Sequence, residues 1–124
     1  MSGTRIFLDT NILVSLHQGN ENAKNIVNGK DIVISEITQI ELLSYPYITP
    51  KIDIILREML SQMIVFPLNE QIKEITINLR RKHPKLKLPD SLILATSIYL
   101  DMDFITADKG FSNIKEAAII QASL

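Results

Sequence analysis

Apolar residues follow two rhythms along this chain. Short runs at Arg5–Leu8 (RIFL), Asp31–Ile34 (DIVI), Ile64–Pro67 (IVFP) and Asp103–Ala107 (DFITA) have the length of buried strands. Between them, apolar positions recur at helical spacing. Residues 11–18 predict a helix closed by Gly19, and residues 21–28 a second closed by Gly29, because glycine tolerates the left-handed conformation at a helix end. Ser35 is a good N-cap for a third helix, in which Ile37, Ile40 and Leu43 or Ser44 share a face with Glu41 beside it, until Pro46 breaks the pattern. Pro50 can open a helix whose wide apolar face holds Ile52, Ile55, Leu56, Met59, Leu60 and Met63. Asn69 can cap a helix over 70–82 with Ile72, Ile75, Ile77 and Leu79 as its apolar positions. Pro89 and Asp90 open a strongly apolar helix over 90–100, with Ala95 as a close-packing point, and Ala118–Gln121 reads as a final edge strand.

Strands alternating with helices imply an α/β fold with a mostly parallel central sheet of about four to five strands and helices on both faces, a three-layer arrangement. The 124 residues fit one domain spanning 1–124. A domain of that size buries roughly two-thirds of its unfolded surface, so it needs no covalent staple. The chain has no cysteine, which excludes disulfides and thiolate metal sites. No segment is long and apolar enough to span a bilayer. The start, Met1-Ser2-Gly3-Thr4-Arg5, runs straight into a strand without the features of a signal peptide. The expectation is a soluble cytoplasmic protein.

Net charge, at −1, says little until its distribution is considered. Arg80, Arg81, Lys82, Lys85 and Lys87 cluster with His83 in a stretch, 78–89, that holds no acid. Without those five, 8 basic residues face 14 acids, so the remainder carries −6. A basic strip on an acidic body suits an enzyme that binds a polyanion. The plainer account is a solvated helix end, where cations favour the negative end of the dipole.

Four acids stand where apolar elements end or begin: Asp9, Glu41, Asp90 and Asp108. In open parallel sheets, sites form beyond the carboxyl ends of the strands. Asp9 and Asp108 each follow an apolar strand, so they can face one rim. Glu41 lies about two turns into the helix after the second strand, and Asp90 begins a helix, where a carboxylate also serves free backbone N–H groups. Converging carboxylates repel, and a hard divalent cation relieves the repulsion. Such an ion, alone or as a pair, can grip a phosphate oxygen and acidify a water for in-line phosphodiester hydrolysis. Each acid also has a plain reading: a helix cap for Asp9, a helix start for Asp90, an exposed helix residue for Glu41, a turn residue for Asp108. Asp101 and Asp103 read as solvated loop acids, and His17 and His83 as structural or solvated rather than as general bases, although His83 could contact phosphate from within the basic strip.

The segments Ile6–Val14 (IFLDTNILV), Ser35–Leu43 (SEITQIELL), Leu88–Ser97 (LPDSLILATS) and Phe104–Phe111 (FITADKGF) resemble, in order, the acidic motifs of PIN-domain ribonucleases. The short length looks most like the VapC toxins of type II toxin–antitoxin systems. The resemblance implies a Mg²⁺- or Mn²⁺-dependent endoribonuclease with Asp9, Glu41, Asp90 and Asp108 as its acidic site, Asp9 and Asp90 foremost as metal ligands. Asn11 and Thr106 match polar positions that orient the acids or touch the scissile phosphate, while Thr10 caps the first helix. The basic residues Arg80, Arg81, Lys82, Lys85 and Lys87 would carry RNA toward Asp90. The resemblance further implies a homodimer and a cognate antitoxin protein, which inserts a helix or tail into a groove. Tyr45, Tyr47, Ile48, Ile52 and Ile55 are candidates for that groove, with core packing as the plain account of the isoleucines.

Two other enzyme readings use acids at strand ends. A haloacid-dehalogenase-like phosphatase expects a second Asp two residues after its nucleophile, where this chain has Asn11. A phosphoacceptor receiver expects an acceptor Asp after a middle strand, where Ser35 follows the second strand and Pro67 ends the third. A reading of another class is a PIN-like RNA- or protein-binding module without catalysis. Degenerate members lose acids, whereas all four are present here.

Overall fold

The computed structural model describes residues 4–124; the first three residues of the expected domain lie outside the described part. The chain runs β1 (Arg5–Leu8), α1 (Thr10–His17), α2 (Glu21–Val27), β2 (Asp31–Ser35), α3 (Glu36–Leu43), α4 (Pro50–Ser61), β3 (Ile64–Phe66), α5 (Glu70–Lys82), α6 (Leu88–Tyr99), β4 (Phe104–Thr106) and β5 (Ile119–Gln121). The strands form one sheet in the order β3-β2-β1-β4-β5, and every neighbouring pair is parallel. Helices cover both faces, which makes the three-layer α/β architecture that the alternation implies.

The pleat sorts the core into two layers. Phe7, Val33 and Phe104 point to one face and pack with Ile72 and Leu79 of α5 and Ile93 and Leu94 of α6. Their neighbours Leu8, Ile34 and Ile105 point to the other and meet Ile12 and Leu13 of α1, Leu42 of α3 and Leu60 of α4. Phe104 joins Phe7 and Phe111, with ring centroids 6.0 and 4.9 Å apart. Among the described residues, no helix is long and apolar enough to cross a membrane.

Local chemistry sets most boundaries as expected. Ser35 and Asn69 cap α3 and α5 by accepting backbone N–H bonds, Pro50 opens α4, with Thr49 as a cap that the sequence reading does not name, and Gly19 and Gly29 take φ of +83° and +71° after α1 and α2. Three details differ. The first helix begins at Thr10, because Asp9 holds the cap position and accepts the Thr10 N–H; Thr10 is not the cap. The α6 helix begins at Leu88, since Pro89 sits in a first turn where its missing N–H leaves no bond unmade. On α3 the buried positions are Thr38 and Leu42, while Ile40 is 56 % exposed. The α3 helix is turned so that Thr38 meets Thr10 of α1, which the hydrophobic pattern alone does not reveal.

The strand order also places the site. From central β1 the chain steps outward to β2 and β3, then returns past β1 to β4 and β5. The direction of progression therefore reverses at β1 and β4, and a crevice opens beyond their carboxyl ends. Asp9 and Asp108 follow those two strands.

Candidate active site

Asp9, Glu41, Asp90 and Asp108 line one cleft, together with Thr10 and Asn11. They come from four places in the fold: the end of β1, the last turn of α3, the first turn of α6 and the turn after β4. Exposure rises from Asp9, which is 4 % exposed, through half-buried Glu41 and Asp90, to exposed Asp108.

Asp9 is gripped most firmly. Its Oδ1 accepts the Thr10 N–H at 2.8 Å. Its Oδ2 accepts the Thr106 hydroxyl at 2.7 Å and the Asn11 amide at 3.2 Å. Asn11 is fixed in turn, because its Oδ1 accepts the Ala107 N–H at 3.1 Å. Thr106 also accepts the Asp108 N–H at 3.0 Å, so a single hydroxyl links the backbone of one acid to the carboxylate of another. Both polar neighbours singled out in the sequence thus touch Asp9, and neither is free in the cleft. Burial pushes the Asp9 carboxyl from its ordinary 3.8 up to about 6; the Thr106 and Thr10 bonds pull it down, and the charges of Asp90 and Asp108 add to the rise. The Asp90 carboxyl is also raised, first by partial burial and then by Asp108 and Glu41, with Lys87 opposing.

The other acids keep oxygens available. Glu41 Oε1 accepts the Thr10 hydroxyl at 2.7 Å, and Asp108 Oδ1 accepts the Gly110 N–H at 2.8 Å. Among the described residues, Glu41 Oε2, Asp108 Oδ2 and both oxygens of Asp90 receive no hydrogen bond from the protein. No three His, Cys, Asp or Glu side chains of the described residues are gathered tightly enough to form a ready cage around one ion. The donor set is nonetheless one of hard oxygens, and Mg²⁺ is commonly held by one or two carboxylates while keeping several waters. These residues therefore fit such an ion with its hydration shell largely retained, rather than an all-protein cage.

The basic strip divides into two parts. Lys82, Lys85 and Lys87 line a second groove that shares Asp90 and Asp108 with the acidic cleft, so cationic and anionic walls are continuous. Arg80 and Arg81 do not line it; they lie exposed in the last turn of α5, where they suit the helix dipole. His83 lines the groove too, but its Nε2 sits 3.0 Å from both carboxylate oxygens of Glu116. That pairing holds Glu116 below the usual carboxylate range and is invisible in the sequence. His17 ends α1 in an exposed position, and Asp101 and Asp103 are exposed in the turn before β4.

Tyr45, Tyr47, Ile48 and Ile52 line an apolar groove with Val14, Leu42 and Leu56, next to the acidic cleft. Tyr45 and Tyr47 are 64 % and 97 % exposed. Ile55 does not belong to this groove; it is 43 % exposed elsewhere on α4. Thr10, which the sequence suggests only as a helix cap, and Thr38, which the sequence does not single out, join α1 to Glu41. The available signal was Thr38 standing one turn before Glu41 on the same helix face.

Comparison with known proteins gives a consistent answer. Residues 6–117 match the family model described as PIN domain. Among solved structures, the chain is similar to one in a toxin–antitoxin complex from Klebsiella pneumoniae, with 30% identity, a TM-score of 0.82, and coverage of 94% of this chain and 96% of that one. It also resembles a chain of VapBC2 from Rickettsia felis bound to a promoter DNA fragment (20% identity, TM-score 0.85, 97% and 100% covered). A third, FitAcB from Neisseria gonorrhoeae, shares 23% identity with a TM-score of 0.76 over 94% and 96% of the two chains. The latter two likenesses concern the fold. No curated protein sequence matches the chain.

Proposed function

Because this chain belongs to the PIN-domain family, we propose that it is the toxin of a VapC-type toxin–antitoxin pair, acting as a Mg²⁺- or Mn²⁺-dependent endoribonuclease that hydrolyses RNA phosphodiester bonds. The observation that carries the reading is the meeting of Asp9, Glu41, Asp90 and Asp108, from four elements, in one cleft. A structural role for each acid separately gives no reason for them to share a cleft in which burial first, and then the charges of neighbouring acids, raise the carboxyls of Asp9 and Asp90.

In this reading Asp90, with both oxygens free of protein donors, and Asp9, held by its neighbours, would be the principal metal ligands, with Glu41 and Asp108 assisting through Oε2 and Oδ2. A bound divalent cation would supply positive charge to a phosphate oxygen and lower the pKa of the attacking water. The chain's own contribution is orientation. Thr106 and Asn11 prevent the Asp9 carboxylate from turning away, and Gly110 fixes one oxygen of Asp108. Lys82, Lys85 and Lys87 would draw the RNA backbone along the adjoining groove toward Asp90. Arg80 and Arg81 are left outside that path.

The apolar groove beside the cleft, with its exposed tyrosines, fits the antitoxin's inserted helix or tail, in keeping with the toxin–antitoxin complex that the chain resembles at 30% identity. We extend the proposal to a homodimer, a single domain across the chain and a cytoplasmic setting. The alternative, a PIN-like module that binds RNA or protein without cutting, draws support from one observation: no three acids of the described residues are gathered as a ready cage.

Cleavage of a labelled RNA pool by the purified chain, with Mg²⁺, Mn²⁺ or EDTA and with Asp90→Asn alongside, separates the two. Metal-dependent cuts that vanish in Asp90→Asn are expected. Binding without cleavage in any metal would establish the module instead.

A further inference from the structure

Glu41 reaches the acidic cleft from α3 on a long side chain, and the other acids hold their places by different means. Asp9 is buried in a hydrogen-bond network, Asp108 is tied to the backbone of Gly110, and Asp90 sits on the rigid first turn of α6. Glu41 is tied by a single bond, 2.7 Å from its Oε1 to the hydroxyl of Thr10. The same Thr10 oxygen lies 3.0 Å from the hydroxyl oxygen of Thr38, which is fully buried.

Proton counting orders this cluster. Thr10 has one hydroxyl proton, and a carboxylate that only accepts must receive it. The proton between the two threonines therefore belongs to Thr38, and the chain of donation runs Thr38 to Thr10 to Glu41. Bonds donated in series polarise one another, so the buried Thr38 strengthens the grip of Thr10 on the carboxylate. With Oε1 engaged, Oε2 is the oxygen left to the cleft. Thr10 is well placed for this role because it is the first residue of α1 and follows Asp9 directly: its N–H holds Asp9 and its hydroxyl holds Glu41.

We propose that Thr10 is a positioning residue of the active site, which sets the spacing between Asp9 and Glu41 by bonding both, with Thr38 as its buried support. The inference rests on the metal-dependent ribonuclease reading and adds a residue to it. Thr10→Val preserves shape, the backbone N–H and the bond to Asp9, and removes only the hydroxyl. Thr10→Ser keeps the hydroxyl.

Two readouts on the full chain test this: calorimetric titration with Mn²⁺ alone, and steady-state cleavage of an oligoribonucleotide that the wild type cuts, with thermal melting as the check on folding. Removing a residue that orients a metal ligand typically weakens metal affinity or activity about 10–100-fold. Thr10→Val is expected to show a loss of that order in Mn²⁺ affinity and in kcat with KM nearly unchanged, and Thr10→Ser is expected to recover both. A merely structural role would lower the melting temperature without the split between kcat and KM. Wild-type Mn²⁺ affinity and kcat in Thr10→Val, with Asp90→Asn inactive, would overturn the role of Thr10 and leave the ribonuclease reading standing. A wild type that binds Mn²⁺ but cuts no RNA would defeat the ribonuclease reading, and the titration alone would then decide for or against Thr10. A wild type that neither binds Mn²⁺ nor cuts would defeat both.

Discussion

Replacing Asp9 by asparagine should stabilise the metal-free protein at alkaline pH and destabilise it at acid pH. Asp9 is 4 % exposed, and its carboxyl is raised from 3.8 to about 6, with burial as the leading cause. At 1.36 kcal/mol per pH unit, an ionised Asp9 costs the folded state roughly 3 kcal/mol relative to its protonated form. The sign follows from linkage. The folded protein holds the proton more tightly than the unfolded chain, so this stability is fully present below pH 3.8 and is lost as pH rises through about 6.

Asparagine is neutral throughout and caps a helix as well as aspartate does, so the exchange isolates charge from capping. It also has one acceptor oxygen in place of two. Its amide would replace Oδ2, so the bond now donated by the Asn11 amide at 3.2 Å is lost at a cost of about 1 kcal/mol, whereas the Thr106 hydroxyl, now donating at 2.7 Å, can turn and accept from the new amide. Near pH 8 the variant should therefore be about 2 kcal/mol more stable than the wild type, the charge relief minus the lost bond. Near pH 4 only about 0.5 kcal/mol of the relief remains, and the variant should be roughly 0.5 kcal/mol less stable. Urea denaturation in EDTA across this range measures the difference directly. A gap of constant size, or a variant less stable at pH 8, would refute the argument and make Asp9 a plain helix cap.

Further outcomes follow from the same geometry. Changing Lys82, Lys85 and Lys87 together to glutamine should weaken binding of single-stranded RNA and flatten the log–log salt dependence by about 2, at roughly 0.7 per released phosphate contact; fluorescence anisotropy on the Asp90→Asn background measures it, and an unchanged slope would remove the groove from the RNA path. Thr106→Val keeps shape but takes the 2.7 Å donor from Asp9 and the acceptor from the Asp108 N–H, so it should lower cleavage at least tenfold and cost about 1–3 kcal/mol of stability in a denaturant titration. Glu116→Gln breaks a partly exposed pair with His83 and should change stability by less than about 1 kcal/mol, read from thermal melts at low and high salt.

Much of this molecule can be read from its sequence because local rules and the fold agree. Ser35 and Asn69 cap helices where their side chains demand it, Gly19 and Gly29 stop them, and the alternation of Phe7 with Leu8 is enough to assign the two faces of β1. What the sequence hides is contact between residues far apart along it. Thr38 is buried where Ile40 is not, because its hydroxyl meets Thr10, 28 residues away. The basic strip looks uniform in one dimension, yet its lysines and His83 turn to the groove, while Arg80 and Arg81 lie exposed on the last turn of α5. The His83–Glu116 pair spans 33 residues and obeys no local pattern.

Asp9 shows why the plain and the functional readings of such residues need not compete. It caps α1, as an aspartate before a helix should, and it also lines the acidic cleft. Capping uses Oδ1, which accepts the Thr10 N–H, whereas Thr106 and Asn11 act on Oδ2. The two roles thus occupy different oxygens of one carboxylate. The cap fixes the side chain relative to α1, and the Thr106 bond fixes it relative to β4, the strand whose end carries Asp108. A cap at this position orients the group toward both elements that form the crevice. That is why a carboxylate directly after the central strand can be held nearly rigid although it is buried, charged and close to two other acids.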